Sequence, residues 1–120
     1  MKLNQDCIRD ILLYVEANTE TADTEIDFEV LCSALPYSKE VLDYHVKTLY
    51  DGDLFIDIQC AEDEIESISR LSFNGHCFVD NIRDDKVWST LKKGVSTLAS
   101  VSLPILVKQA SDIITNLLAK

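Results

Sequence analysis

Glycine is scarce in this chain, with three in 120 residues, and so is proline, with two. A loop that holds phosphate on backbone N–H groups needs several closely spaced glycines, and none is present; G-x-S-x-G and H-E-x-x-H are absent as well. No apolar run approaches the roughly 18 residues that a membrane helix requires. The opening Met1–Asp6 has no basic stretch leading to a small-residue cleavage site, so secretion is not expected and a cytoplasmic location is. Cys7, Cys32, Cys60 and Cys77 lie 25, 28 and 17 residues apart with no C-x-x-C, the pattern of cytosolic thiols rather than of a disulfide framework. Cations are the other shortage: 11 Lys and Arg face 21 Asp and Glu, giving a net charge of −10 and a pI near 4.4. Phosphate affinity rests on clustered cations, so a nucleic-acid role starts at a disadvantage.

What is present is enough for one folded domain. Apolar residues make up 47%, and a chain this long can bury a core without disulfides or metal. Charge is unevenly spread. Residues 1–80 hold 5 cations and 18 acids, whereas residues 81–120 hold 6 and 3, so an acidic body carries a mildly basic tail.

Taken in order, the chain predicts nine elements. Asn4 caps a helix to Asn18 whose stripe is Leu3, Cys7, Ile8, Ile11, Leu12 and Val15. Glu25–Val30 alternates and predicts a strand with one wet face; Leu31–Leu35 then predicts a short helix ended by Pro36. Ser38 caps the next helix, with Val41, Leu42, His45, Val46 and Leu49 on one face, and Gly52 is placed to end it at positive φ. Leu54–Cys60 alternates as a strand, and Ala61–Glu64 forms a hairpin tip with three acids. The return strand near Glu66–Ser72 breaks alternation at Ile68 and Leu71, which predicts a bulge. A helix from Ser72 is expected to turn Phe73, Phe78, Val79 and Ile82 inward. Another follows with Val87, Leu91, Val95 and Leu98, and a last one opens at Ser102 with Pro104 in its first turn. The order predicts an α+β, mostly helical fold: a winged helix-turn-helix over residues 1–84 with a small three-stranded sheet, then a helical extension over 85–120 that packs on it or mediates dimerisation.

Several stretches carry a resemblance: Met1–Asn4 with Ile8–Leu12, Tyr44–Val46 with Leu49, Arg70–His76, and Asp80–Asp85 with Val87 and Trp88. They resemble an uncharacterised family of small phage- and prophage-encoded proteins, a domain of unknown function with a winged-helix core. The resemblance spans residues 1 to about 90 and implies a bacterial or phage cytoplasmic origin. It implies no catalytic residues.

Candidate residues fall into three groups. If the chain binds protein, the acidic wing Glu62, Asp63, Glu64 and Glu66 and the single tryptophan, Trp88, are the expected contacts. If it binds DNA, Lys39, His45 and Lys47 on the third helix and Arg70 on the wing are the residues available. A dimer through residues 102–120 would use Leu106, Val107, Ile113, Ile114, Leu117 and Leu118. His45 and His76 do not make a metal site with Cys60 or Cys77, because adjacent His76 and Cys77 point about 100° apart on a helix. His45 fits a hydrogen-bonded core histidine better, and His76 local capping. No carboxylate pair is set up for acid–base work. The expectation is a non-enzymatic protein-interaction module without cofactor or metal; the alternatives are a DNA-binding regulator and, more remotely, an acidic DNA mimic that occupies a host factor.

Overall fold

A computed structural model describes residues 1–119, and among them five of the six helices start where a polar side chain caps them. Asn4 accepts the Cys7 N–H at 3.1 Å and opens α1 (Gln5–Asn18), whose Cys7, Ile8, Ile11, Leu12 and Val15 are all buried. Ser38 accepts the Val41 N–H to open α3 (Lys39–Asp51), Ser72 caps α4 (Phe73–Ile82), and Asp84 caps α5 (Asp85–Val95). Ser102 precedes α6 (Leu103–Leu118) without a side-chain cap; Pro104 presets its first turn.

The sheet is smaller than its sequence patterns imply. Strand β1 is only Ile26–Asp27, because the Asp27 carboxylate takes the Glu29 N–H at 2.8 Å and turns the chain directly into α2 (Phe28–Ala34). The alternation of Glu25–Val30 is therefore not a strand beyond Asp27; Phe28 and Leu31 are buried at helical spacing while Val30 is exposed. The strand expected over Leu54–Cys60 becomes regular only at β2 (Ile58–Ala61). Leu54 and Phe55, neighbours in sequence, are both buried, Ile56 is exposed, and Phe55 makes an isolated bridge to Leu71. β3 (Glu64–Ile68) lies between the other two, in the order β1-β3-β2, and both pairings are antiparallel. The register runs Gln59↔Ser67 and then Cys60↔Ile65, so Glu66 is the extra residue of a bulge. It precedes Ile68 rather than falling between Ile68 and Leu71, where the broken alternation predicts one and where Ile58↔Ile68 and Phe55↔Leu71 keep the same register.

Two glycines have roles other than the one expected of Gly52. Its φ is −84°; the positive φ belongs to the next residue, Asp53, at 64°. A Cβ on Gly52 would instead stand 2.6 Å from a Leu103 methyl, so its absence lets α6 approach. At Gly75 a Cβ would come within 2.1 Å of the Leu54 carbonyl oxygen, so α4 can lie against the segment after α3 only with glycine there.

The chain is thus a mostly helical α+β fold with six helices and one three-stranded antiparallel sheet among the described residues. The element order matches the expected one. One apolar cluster runs from Cys7 on α1 through Phe28, Leu42, Ile68 and Phe78 to Leu106 and Ala110 on α6, so the C-terminal helices share the core of the first part. Two inward positions are corrected. Phe73 is exposed in the first turn of α4, on the side away from Phe78 and Val79, and Leu98 is exposed because α5 has already ended at Val95. No helix among the described residues is long and apolar enough to cross a membrane.

Candidate interaction surfaces

Charge is arranged differently on the two sides of this core. On one side, α3 lies beside the β2–β3 hairpin. Its tip is a two-residue turn in which Glu62 and Asp63 both have positive φ, 52° and 70°. That is the backbone of a tight turn matching strand twist, usually built from Asn and Gly. Lys47 braces it from α3, its Nζ donating to the Asp63 carbonyl at 2.9 Å and pairing with Asp43 at 3.2 Å. Lys39 pairs with Glu29 at 3.1 Å. Both lysines of α3 are therefore matched by acids, while Glu62, Asp63, Glu64 and Glu66 project into solvent from the hairpin. Glu40 and Asp51 add to the same sign on α3.

On the other side, opposite charges tie helices together. Arg9 reaches from α1 to the end of α4, its Nε donating to the Ile82 carbonyl at 3.0 Å and its Nη2 to the Arg83 carbonyl and to Asp85, each at 2.9 Å. Its guanidinium lies 5.5 Å from the centre of the Trp88 ring. Trp88 Nε1 donates to Asp6 at 3.2 Å, and Lys92 Nζ donates to the same carboxylate at 2.9 Å. The Lys92 ammonium holds the Asp6 carboxyl below the usual carboxylate range, against the opposing effect of partial burial. Arg83 pairs with Glu16 and Asp80. Tyr37 Oη donates to Asp10 at 2.6 Å; desolvation, together with that bond, pushes the phenol well above its ordinary value.

Several residues expected at an interface have other roles. Trp88 is 5% exposed and cannot be a surface contact; its ring is covered by Arg9 and the core. His45, a contact in the DNA-binding alternative, is 1% exposed: Nδ1 lies 2.7 Å from the Val41 carbonyl and Nε2 accepts the Asn4 N–H at 2.8 Å. These partners set the neutral Nδ1–H tautomer and anchor the N-terminal segment, as expected of a core histidine. His76 is exposed and caps nothing, since Ser72 supplies the α4 cap. Arg70 is half-buried, with Nη1 donating to the Leu71 carbonyl at 3.1 Å. Leu106 is fully buried within its own chain, so it leaves the dimer set; Val107, Ile113 and Ile114 are half-buried and Leu117 and Leu118 exposed. Position 120, the end of the range expected to dimerise, lies outside the described residues.

The arrangement provides little reactive chemistry. Burial pushes the Cys7 thiol up to about 12, which removes it as a nucleophile near neutral pH. Cys60 and Cys77 are exposed free thiols. Among the described residues no three His, Cys, Asp or Glu side chains gather as metal ligands, and no buried side-chain polar atom lacks a partner. The cluster of Arg9, Asp6, Trp88 and Lys92 is invisible to local sequence patterns because its contacts join positions 73 to 86 residues apart. The signal that could have found it was the resemblance: Arg9, Arg83, Asp85 and Trp88 all fall in the stretches that carry it, and the structure joins those stretches into one strut.

The family model described as a hypothetical protein, DUF2513, matches residues 2–102. An uncharacterized protein of Haemophilus influenzae is 33% identical over 127 aligned residues, covering 99% of this chain and all of the relative. No solved structure matches. The stretch matched by the family model ends at the residue that precedes α6.

Proposed function

The chain belongs to the DUF2513 family of hypothetical proteins, and from its surface chemistry we propose that it is a non-catalytic protein-interaction module built on a winged helix. The order α1-β1-α2-α3-β2-β3, with β1 added to the outer side of β3, supports the winged-helix reading; β2–β3 is the wing and α3 the helix that DNA-binding relatives of such folds place in the groove. A phage or prophage origin rests on the resemblance above, and a cytoplasmic setting on the two exposed free thiols.

The observation that carries the reading is the sign of charge at the two elements which, in a DNA reader, meet phosphate. Lys39 and Lys47 are already paired with Glu29 and Asp43, and the wing tip adds Glu62, Asp63, Glu64 and Glu66. Such a face repels the backbone of nucleic acid and complements a basic protein surface. A DNA-binding regulator would rely on Lys39, Lys47 and Arg70, all of which are engaged within the chain.

The test compares the wild-type chain with a variant carrying Glu62→Asn, Asp63→Gly, Glu64→Lys and Glu66→Lys. The first two changes keep the turn, since Asn-Gly suits its backbone. Partners retained from bacterial lysate by the wild type and lost by the variant are the expected result. An unchanged set of partners would remove the acidic face as the interface. Titration with duplex DNA at low salt gives no binding if the proposal holds; binding that weakens steeply with salt would favour the regulator instead.

A further inference from the structure

Along one face of α6, Leu106, Ala110, Ile113 and Leu117 recur at steps of four, three and four residues. The first two are fully buried, Ile113 is half-buried, and Leu117 is 54% exposed. The face that closes the core at one end of the helix is thus open at the other. Length explains this: α6 has 16 residues and its neighbour α5 has 11, a difference of about 7 Å of helix. At the open end the two helices border a groove of about 570 Å³, walled by Val87 and Thr90 of α5 and Ile113, Ile114 and Leu117 of α6. Leu118 stands at its edge and is 81% exposed.

We propose that the occupant of this groove is Leu118 of a second copy of the chain, so that two copies join by a two-fold contact of their α5–α6 ends. A two-fold interface requires a patch that complements itself, and here an apolar projection and an apolar groove lie side by side. The rim is complementary in the same sense: it carries Asp84 and Lys86, one charge of each sign, so each acid can face its partner's lysine. Long-range charge opposes the approach least at this end. Residues 1–80 carry 5 cations and 18 acids, whereas residues 81–120 carry 6 and 3, so contact through the tails keeps the acidic bodies apart. This pairing does not depend on the acidic face having a partner.

Light scattering of the full chain at roughly 100 μM, where a micromolar interface is largely assembled, reads the outcome directly. The expected mass is twice the 13.5 kDa of one chain. Leu118→Lys removes the projection and Thr90→Glu obstructs the groove; both positions are exposed, so circular dichroism should show unchanged helix content. Each variant is expected to weaken the dimer on the order of a hundredfold, because a two-fold contact suffers every change twice. Mixing the two variants should restore it: one contact then keeps leucine against an intact groove, and the other sets the introduced ammonium against the introduced carboxylate. A wild-type mass of one chain, a dimer that survives Leu118→Lys, or a mixture that stays monomeric would each overturn the proposal.

Discussion

The side of the molecule where α1 meets α4 and α5 and the side formed by α3 and the hairpin use charge in opposite ways. On the first, Arg9, Arg83 and Lys92 each bridge elements far apart in sequence, and Trp88 is sealed beneath one of them. On the second, the two lysines of α3 balance only part of the acid around them, and four carboxylates crowd the hairpin within five positions. An ion pair that also satisfies helix-end carbonyls and packs on a ring has an architectural role that substitution exposes. A set of like charges at a hairpin tip does not favour folding and is free to serve a surface role. Stability measurements should therefore separate the two sides.

The largest effect is expected at Gly75. An alanine methyl there meets the Leu54 carbonyl oxygen at 2.1 Å, a backbone atom that can move only with the start of α4. Gly75→Ala should lose about 3 kcal/mol, at the upper end of what overpacking costs. Gly52→Ala makes the useful control, since the 2.6 Å neighbour is the end of the flexible Leu103 side chain; its loss should stay below about 1.5 kcal/mol. Equal losses at the two positions in urea unfolding would show that α4 does not need the close approach.

Next comes Arg9→Ala, which leaves the Ile82 and Arg83 carbonyls without their guanidinium and opens one face of Trp88. A loss of about 2 kcal/mol is expected, within the range of hydrogen bonds to charged groups. Arg9→Met keeps the packing and removes the donors, so it should recover part of that loss. As the single tryptophan, Trp88 reports both the unfolding transition and, through its emission in the native state, whether the ring has met water. A native emission unchanged by Arg9→Ala would mean that the ring is covered without the arginine.

The same contrast accounts for what was legible in the sequence. Helices announce themselves by local features, and Asn4, Ser38 and Ser72 cap the helices they are expected to cap. A bulge is expected from Ile68 and Leu71, but the register places its extra residue at Glu66, ahead of both, between the buried Ile65 and Ile68. Glu25–Val30 misleads because alternation over six residues also fits Phe28 and Leu31 at helical spacing; the Asp27 cap decides between them. His45 is the core histidine its place on the apolar face implies, whereas Trp88 and Leu106, offered as contacts, are buried, since periodicity gives the apolar face of a helix but not what covers it. The acidic hairpin tip can be read directly, because a run of acids at a turn has only solvent to face.

A smaller effect, opposite in sign, is expected at the wing. Glu62 and Asp63 both occupy the left-handed region, where a side chain is disfavoured. Asp63→Gly should raise stability by about 1 kcal/mol by relieving the strain and part of the acid crowding. Glu64→Lys should stay within about 0.5 kcal/mol of the wild type, as is usual for exposed positions. A loss of about 2 kcal/mol or more in either variant, beyond what exposed positions usually show, would place the wing among the architectural parts and blur the distinction between the two sides.

The smallest expected effect lies in the response to acid. Lys92 lowers the pKa of Asp6, so the unfolded chain binds a proton there more readily than the folded one as pH falls. The pair therefore stabilises the fold above the usual carboxylate range, near about pH 4, and that contribution fades as the pH drops through the lowered native value. Asp6 is about half exposed, its side chain at 54% of full accessibility, so solvent screening limits the contribution to about 0.5 kcal/mol. Because Asp6 is one of 21 acids, the measurement is a difference: the change in unfolding free energy between pH 7 and pH 3, for wild type and for Asp6→Asn. Asparagine can still accept the Trp88 N–H, so only the charged part of the contact is removed. The wild type should lose slightly more on acidification than the variant, and the gap should narrow when salt is raised, as it does for exposed ion pairs. If Asp6→Asn loses as much as the wild type or more, the Lys92 contact adds no charge-dependent stability, and the strut between α1 and α5 rests on Arg9 and Trp88.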